Sequence, residues 1–348
     1  MKHNWRISSF DVRNASAAEY RAANELDNRI RAEYLPDDPP IPLDEQTRDF
    51  QNIPAFVGVY AWAVWNDDNS KAIASGSVGV TYMETNKHVA EFNIEVLPEF
   101  RRQGLARTLL ARIADAARQE NRTLLFASTN ERVPASAVFM QRLGARKGLE
   151  NHTNQLDLHD LNCDLIDAWQ TRARERAADF ELGLWEGAYP EADLQAIVTL
   201  EELKNTAPRD SLEIEDWRVT PEHLRQIEQQ MLACGTERWT MYAREKSTRK
   251  FAGYTEVFWN PNRAEILNQG ATAVFPCFRS KGLGHWLKAA MLDKVLRDRP
   301  QVRFIRTGNA DSNAAMLKIN HELGFKSYLS RCVWQVETEK VLEYLRQK

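Results

Sequence analysis

Hydrophobic and polar positions follow two periods along the first half of the chain. Runs rich in Val, Ile, Thr and aromatic residues at 56–65, 73–82 and 89–96 predict β-strands. Their short connections favour an antiparallel meander. Apolar residues then recur at helical spacing from Leu105 onward, which predicts an amphipathic helix over 105–120.

The second half repeats this order of elements. Strands predicted at 239–244, 251–259 and 265–274 precede an amphipathic helix, a strand at 302–307 and a helix over 313–323. Each half therefore predicts a mixed α/β (α+β) fold, with a largely antiparallel mixed sheet flanked by helices.

The length and a change in composition predict where the halves divide. A chain of 348 residues is long enough for two domains. The segment 161–179 is rich in Arg, Ala and Glu, which indicates a polar connecting helix rather than a flexible tether. We therefore expect an N-terminal domain over 1–160 and a C-terminal domain over 180–348.

One motif occurs in both halves. The pattern Val-x-Pro-x-x-Arg-x-x-Gly-x-Gly/Ala begins at Val96 and again at Val274, 178 residues later. A helix closed by a glycine follows each copy, at Gly144 and at Gly324. Two ordered anchors within the same succession of elements indicate duplication of a whole domain.

The repeated turn has the chemistry of an anion site. Glycines between a strand and a helix let consecutive backbone N–H groups point into one concavity at the positive end of the helix. Arg102 and Lys281 add charge at the rim. Neither copy ends in the Gly-Lys-Ser/Thr of a P-loop or has the third glycine of a dinucleotide fingerprint. A phosphate-bearing ligand of another kind is expected.

The motif resembles that of the GNAT superfamily of acetyl-coenzyme A-dependent N-acetyltransferases. The resemblance covers both halves and extends to the tandem-domain branch that includes mycothiol synthase, a distant relative. It implies that acetyl-coenzyme A is the cofactor, with its pyrophosphate on the loop amides and its pantetheine arm along the preceding strand. The implied cofactor-binding residues are Ile94, Val96, Arg101, Arg102, Gln103, Gly104, Leu105, Ala106, Ala273, Val274, Arg279, Ser280, Lys281, Gly282, Leu283, Gly284, Asn309, Asn313 and Asn320.

Acetyl transfer to an amine requires a base, because an alkylammonium with a pKa near about 10 is unreactive at neutral pH. Glu91 and Glu95 lie on the strand before the first loop, four residues apart, and should face one side of it. Glu265 begins the corresponding strand of the second half, and the resemblance places Glu256 beside the second loop. Each carboxylate also suits a solvated or salt-bridged role, and residues 269–272 contain none.

The superfamily's usual general acid is a tyrosine four residues before the closing glycine. Met140 and Asn320 occupy these positions. Either water or another residue protonates the thiolate, or one half is not catalytic. Asn313 and Asn320 also suit helix capping and helix-end hydrogen bonds.

The resemblance implies transfer of acetyl to a primary amine of a small molecule. Two alternatives stay open: an acyl-coenzyme A-binding protein in which one or both halves do not turn over, and a protein N-acetyltransferase. The duplicated halves make either an internally pseudo-dimeric monomer or a homodimer plausible.

Charge and composition narrow the partners and the compartment. Forty-six Lys and Arg against 49 Asp and Glu give a net charge of −3, so a nucleic-acid partner is not expected. No segment has the apolar length of a signal peptide or a membrane span, which predicts a cytoplasmic protein without a membrane partner. Four widely spaced cysteines lack zinc-type spacing, and we expect no metal.

Overall fold

The computed structural model describes residues 5–347, with the backbone alone at Arg174. The chain forms two compact units. The first unit holds residues 1–150, 209–216 and 331–348, and the second unit holds 151–208 and 217–330. These units differ from the predicted segments 1–160 and 180–348, because the end of the chain lies in the first unit.

From residue 5 onward, the described part of the first half contains six strands and four α-helices. They are β1 (Arg6–Ser9), α1 (Ala17–Tyr34), α2 (Leu43–Gln51), β2 (Val57–Trp65), β3 (Ala72–Thr81), β4 (Val89–Val96), α3 (Leu105–Gln119), β5 (Leu124–Asn130), α4 (Pro134–Arg142) and β6 (Arg146–Asp157). Local sequence explains several of the helix boundaries. Ser16 and Glu19 form a capping box at the start of α1, and Pro134 occupies the first turn of α4.

The second half gives a matching series. It comprises α5 (Cys163–Arg176), β7 (Phe180–Glu186), α6 (Leu194–Glu201), α7 (Pro221–Ala233), β8 (Glu237–Glu245), β9 (Phe251–Trp259), β10 (Ile266–Val274), α8 (Leu283–Asp298), β11 (Phe304–Ala310), α9 (Ala314–Glu322), β12 (Lys326–Glu337) and α10 (Thr338–Arg346). The predicted connecting helix is α5. Strands β6 and β12, which follow the closing glycines, were not predicted.

Strand order within the first unit is β1-β2-β3-β4-β5-β12. All of these pairs are antiparallel except β4 with β5, which is parallel and extends only from Val89 to Glu91 on β4. Beyond Glu91 the two strands diverge. Residues 331–337 of β12 pair with β5, so a segment remote in sequence completes this sheet.

Strand order within the second unit is β6-β11-β10-β9-β8-β7, with residues 151–157 of β6 on one edge. Strands β10 and β11 are parallel from Ile266 to Gln269 and then diverge. The register of β10 against β9 shifts between Gln269 and Thr272, which marks a β-bulge. The predicted mixed α/β fold with a largely antiparallel sheet is confirmed.

The core of the first unit lies between its sheet and α3. Leu110 and Ile113 of α3 are fully buried against strand residues such as Val78. The last segment of the chain supplies further core residues, including Trp334 and Val336 from β12. Within residues 5–347, no helix combines the length and the apolar character needed to span a bilayer.

Candidate functional site

The two copies of the repeated loop have the same backbone conformation. Arg102 and Gly104 have φ of 65° and 87°, and the matching Ser280 and Gly282 have φ of 65° and 81°. A non-glycine residue in this left-handed region is uncommon, so its occurrence at the same place in both loops shows a shared and demanding turn. The loop glycine is the N-cap residue of α3 in one unit and of α8 in the other.

Both loops present free backbone donors at a helix start. The first helical hydrogen bonds run from the amide of Thr108 to the carbonyl of Gly104 (3.1 Å) and from Trp286 to Gly282 (3.0 Å). The three amides between these residues in each loop therefore have no acceptor within the helix. A Cβ placed on Gly104 or Gly282 would meet no atom within 4 Å, so the space before each loop is open. This geometry fits a diphosphate.

The arginine of each motif folds back onto the end of its own strand. The Nε of Arg101 donates to the carbonyl of Val96 (3.0 Å), and the Nε of Arg279 donates to that of Val274 (3.1 Å). Arg101 also forms a two-pronged ion pair with Glu33 of α1. These side chains hold the loop in place.

The first unit contains a cavity of about 680 Å³ where β4 and β5 diverge. Residues 92–96 of β4, residues 127–130 of β5 and parts of α1 and α4 line it. The cavity contains seven of the residues that the resemblance assigns to the cofactor: Ile94, Val96, Arg101, Arg102, Gly104, Leu105 and Ala106. Gln103 is exposed and is not part of this lining.

A pair of carboxyl groups lies at the edge of this cavity. Glu95 lines it and accepts a hydrogen bond from the Nδ2 of Asn93 (3.0 Å). Asp27 of α1 is hydrogen-bonded to Glu95 and accepts a second bond from the Nε2 of Gln46. Burial, and then the neighbouring Glu95, raises the pKa of Asp27 to about 8. Asp27 is therefore mainly protonated at neutral pH.

A tyrosine from α1 lines the same cavity. Burial, and then the negative charge of Glu95, raises the pKa of Tyr34, so its phenol stays protonated at neutral pH. Met140 occupies the position at which the superfamily carries its tyrosine, and it lines the cavity as a buried thioether. Tyr344 also lines the cavity, with the guanidinium of Arg107 over its ring, whereas Tyr34 is the phenol on which Glu95 and Asp27 act.

The other predicted carboxylates lie outside this cavity. Glu91 is exposed on the same strand as Glu95, and Glu265 is exposed just before β10. Glu256 of β9 is buried, 3.2 Å from the Nζ of Lys204, and accepts a bond from the amide of Ala271 in the bulge (3.3 Å). Glu256 is therefore held in an internal ion pair.

Polar side chains connect three elements in the second unit. Lys288 of α8 donates to the Oδ1 of Asn320 of α9 (2.8 Å), and the Nδ2 of Asn320 donates to the Oδ1 of Asn309 of β11 (2.7 Å). Asn320 is completely buried and Lys288 is 2% exposed. Burial lowers the pKa of Lys288 to about 7. Asn313 caps α9 by accepting from the amide of Met316, as its capping role predicted.

Asp27, Tyr34 and Arg331 were not among the predicted site residues, although all three are near the cavity or line it. Asp27 and Tyr34 lie in α1, whose sequence contains no motif. Arg331 was predicted to lie in the other domain. For these residues the sequence offers no signal beyond their chemical type.

In the first unit, strands β4 and β5 diverge beside the N-terminus of α3, where free backbone amides are suited to bind an anion. Residues 24–145 match the model of the acetyltransferase (GNAT) family. Among solved structures, a tandem GNAT protein from the clavulanic acid biosynthesis pathway is 23% identical with a TM-score of 0.77, and the match covers 96% of this chain and 99% of that one. A GCN5-related N-acetyltransferase from Sphaerobacter thermophilus is 15% identical with a TM-score of 0.65, over 95% and 96% of the two chains.

The match to the GNAT family model is thus confined to residues 24–145, and the chain as a whole has the fold of a tandem GNAT protein. No protein of curated function matches the sequence. The resemblance to mycothiol synthase in particular stays an expectation.

Proposed function

We propose that the protein transfers acetyl from acetyl-coenzyme A to a primary amine of a small molecule, and that the first unit performs the transfer. The observation that carries this proposal is the position of Glu95, which lines the same cavity as the loop residues Arg102, Gly104, Leu105 and Ala106. A base and a diphosphate site thus share one continuous space.

The residues of the first unit fit the coenzyme. The amides at the start of α3 suit its diphosphate, and Arg102 adds positive charge beside them. The edge of β4 beyond Glu91 is unpaired toward β5, so its backbone groups are available to a pantetheine arm. When bound, the coenzyme supplies an activated acetyl thioester at the end of that arm.

Glu95 and Tyr34 have complementary roles in this proposal. Glu95 takes a proton from the acceptor's ammonium group, directly or through water, while the neighbouring Asp27 keeps its own proton at neutral pH. Tyr34 keeps its proton at neutral pH and is the group that protonates the leaving thiolate. The phenol of Tyr34 thus replaces the tyrosine that Met140 displaces.

The second unit is the part of the chain to which the binding-only alternative applies. Its loop has the conformation of the first, yet Asn320 and Glu256 are both engaged in internal contacts. We therefore assign no transfer step to it. We further propose a cytoplasmic monomer or homodimer without a membrane partner. A nucleic-acid partner is not proposed either, because a net charge of −3 provides no basic field for phosphate backbones.

Glu95→Gln tests the proposal, with Glu91→Gln as the matched control on the same strand. We expect Glu95→Gln to lower the rate of thiol release about 100- to 10,000-fold while acetyl-coenzyme A binding by calorimetry is kept, because only the base is lost. Glu91→Gln should change the rate by less than about twofold.

The acceptor panel for this assay holds primary amines and short peptides. Turnover of peptides alone would favour a protein N-acetyltransferase. Coenzyme binding without turnover on any acceptor would favour the binding-only alternative, and equal losses in both variants would refute the assignment of Glu95.

A further inference from the structure

Arg331 is a cation of the cavity to which the proposed transfer gives no role. It lies in β12 opposite Asn130 of β5 and lines the cavity together with Glu95 and Tyr34. Its side chain is exposed, and within residues 5–347 it has no ion pair or side-chain hydrogen bond. A free guanidinium in a cavity is suited to bind a planar anion through two parallel hydrogen bonds.

Several other arginines of the cavity already have roles. Arg101 is paired with Glu33, and Arg107 donates to the carbonyls of Tyr344 and Leu345 at the end of α10. Arg102 belongs to the loop whose amides suit the coenzyme's diphosphate. These three cations therefore maintain the loop or serve the coenzyme.

The remaining arginines near the cavity differ in their position and in the residues on which their charge acts. Arg142 lies at the end of α4, whereas Arg331 acts electrostatically on Tyr34, the residue on which Glu95 and Asp27 also act. Arg31 acts on Tyr34 as well, but it is ion-paired with Asp38 at 2.7 Å. Among the side chains that the structure describes, Arg331 is thus a cavity-lining cation without an ion pair that acts on the same tyrosine as the carboxyl pair.

We propose that the acceptor is a zwitterionic amine, whose anionic group binds Arg331 while its amino group faces Glu95. This inference rests on the proposed transfer by the first unit. The cavity carries a negative charge on the carboxyl pair and a positive charge on Arg331, both beside Tyr34. An amine with a carboxylate or phosphate a few bonds away complements both charges, whereas a simple alkylamine leaves Arg331 without a partner.

Matched pairs of amines test the inference on the full-length protein. Glycine is compared with glycinamide, β-alanine with its amide, and O-phosphoethanolamine with ethanolamine, by thiol release with acetyl-coenzyme A. We expect kcat/KM to be about 10- to 100-fold higher for the anionic member of at least one pair, the range typical of a hydrogen bond between charged groups. The pair showing the preference identifies carboxylate or phosphate as the group.

Arg331→Gln should raise KM for that anionic amine by a similar factor and leave its uncharged partner unchanged. Arg331→Lys should keep part of the preference, because it retains the charge but loses the bidentate geometry. Arg112→Gln removes an exposed cation of α3 outside the cavity and should change nothing. Thermal unfolding of each variant verifies that the fold is intact.

Three outcomes overturn the inference, and they are distinguishable. Equal use of both members of every pair by the unaltered protein shows that no anionic group is recognised. A rise in KM for acetyl-coenzyme A in Arg331→Gln, with acceptor KM unchanged, assigns Arg331 to a coenzyme phosphate. Turnover of no amine at all refutes the proposed function itself, and this inference with it.

Discussion

The two units share a backbone but differ in the chemistry of three equivalent interior positions. Counting from the repeated loop and from the closing glycines aligns them by 178 and 180 residues. In the first unit these positions are two apolar residues and a threonine, and in the second they form the hydrogen-bonded chain of a lysine and two asparagines. Leu110, Thr129 and Met140 correspond to Lys288, Asn309 and Asn320.

This difference separates the part of the domain that forms the repeated loop from the part that lines the cavity. The loops keep the same pair of left-handed residues in both units. Thr129 and Met140 line the cavity of the first unit, where a thioether and a small hydroxyl tie no helix to a strand. Asn320 joins α8, α9 and β11 in the second unit. A loop able to bind a diphosphate therefore does not guarantee an adjacent cavity of the same kind.

The strands before the loops differ as well. Strand β4 pairs regularly with β3 from Val80↔Ala90 to Ala74↔Val96, whereas β10 has a bulge whose Ala271 amide donates to Glu256. A bulge redirects backbone groups. Here one of them is satisfied internally by a carboxylate that Lys204 neutralises. The corresponding edge of the first unit contains Glu95, which faces the cavity.

Removing residues 331–348 should have the largest effect, because it removes part of the first unit and none of the second. The first unit would lose the strand partner of β5 and the buried Trp334, Val336 and Val341. Truncation of one buried tryptophan alone costs about 3–5 kcal/mol, a large part of a typical domain's stability. A chain ending at Ser330 should therefore lose acetyl-coenzyme A binding and thiol release, measured by calorimetry and by the activity assay.

A synthetic peptide of residues 331–348, added in trans during refolding, is the control for this truncation and should restore part of the binding. Full activity in the chain ending at Ser330 would show that the first unit does not depend on β12. It would also contradict the division of the chain into interleaved units.

An intermediate effect is expected from a charge placed on each loop. Gly104→Glu puts a carboxylate where the diphosphate should lie, and it should weaken acetyl-coenzyme A binding at least about 100-fold and abolish transfer. Gly282→Glu should leave the rate of transfer within about twofold, since the second unit has no assigned step. Calorimetric stoichiometry reports whether the second loop binds coenzyme at all.

Both loop variants place a side chain at positive φ, so matched controls must separate strain from charge. Gly144 (φ 71°) and Gly235 (φ 74°) are also left-handed with open space around them. They lie just after the C-terminal ends of α4 and α7 and do not belong to either repeated loop. Gly144→Glu and Gly235→Glu should keep binding at a similar loss of stability. Loss of transfer in Gly282→Glu but not in Gly235→Glu would assign catalysis to the second unit.

The loops and the order of elements were predictable because local rules determine them. Hydrophobic periodicity predicted β2 to β4, α3 and their counterparts, and the glycine pattern predicted the turn that Gly104 and Gly282 require. Strands β6 and β12 escaped prediction. Strand β6 reads Arg-Lys-Gly-Leu-Glu-Asn-His-Thr-Asn-Gln-Leu-Asp, which has too few apolar residues for an alternating signal.

The partners of these strands could not be predicted from local sequence rules. Residues 331–337 follow α9 in sequence, yet they pair with β5 and supply Arg331 to its cavity. Asp27 and Glu95 are likewise brought together only by the packing of α1 on β4. The carboxyl pair and its neighbouring cation are therefore products of tertiary structure, whereas the anion loop is encoded in eleven consecutive residues.

The smallest expected effect is on the free energy of unfolding, which the burial of Lys288 in the second unit lowers. The pKa of Lys288 is about 7 in the folded protein against 10.5 when exposed, so the unfolded chain binds more protons between these values. The free energy of unfolding should therefore rise with pH across this window, by up to about 1.4 kcal/mol per pH unit from this group. Lys288→Met should remove that slope and stabilise the protein at pH 7, as measured by urea unfolding.

Replacing Lys288 alone leaves the Oδ1 of the buried Asn320 without its donor, at a cost of about 1–3 kcal/mol. The double variant Lys288→Leu/Asn320→Met recreates the apolar pair of the first unit, Leu110 and Met140, and should be more stable at pH 7 than Lys288→Met. Because other lysines and tyrosines titrate in the same window, the difference between variant and unaltered protein at each pH is the informative quantity. An unchanged slope in both variants would show that Lys288 keeps an ordinary pKa and that the interior of the second unit is hydrated rather than closed.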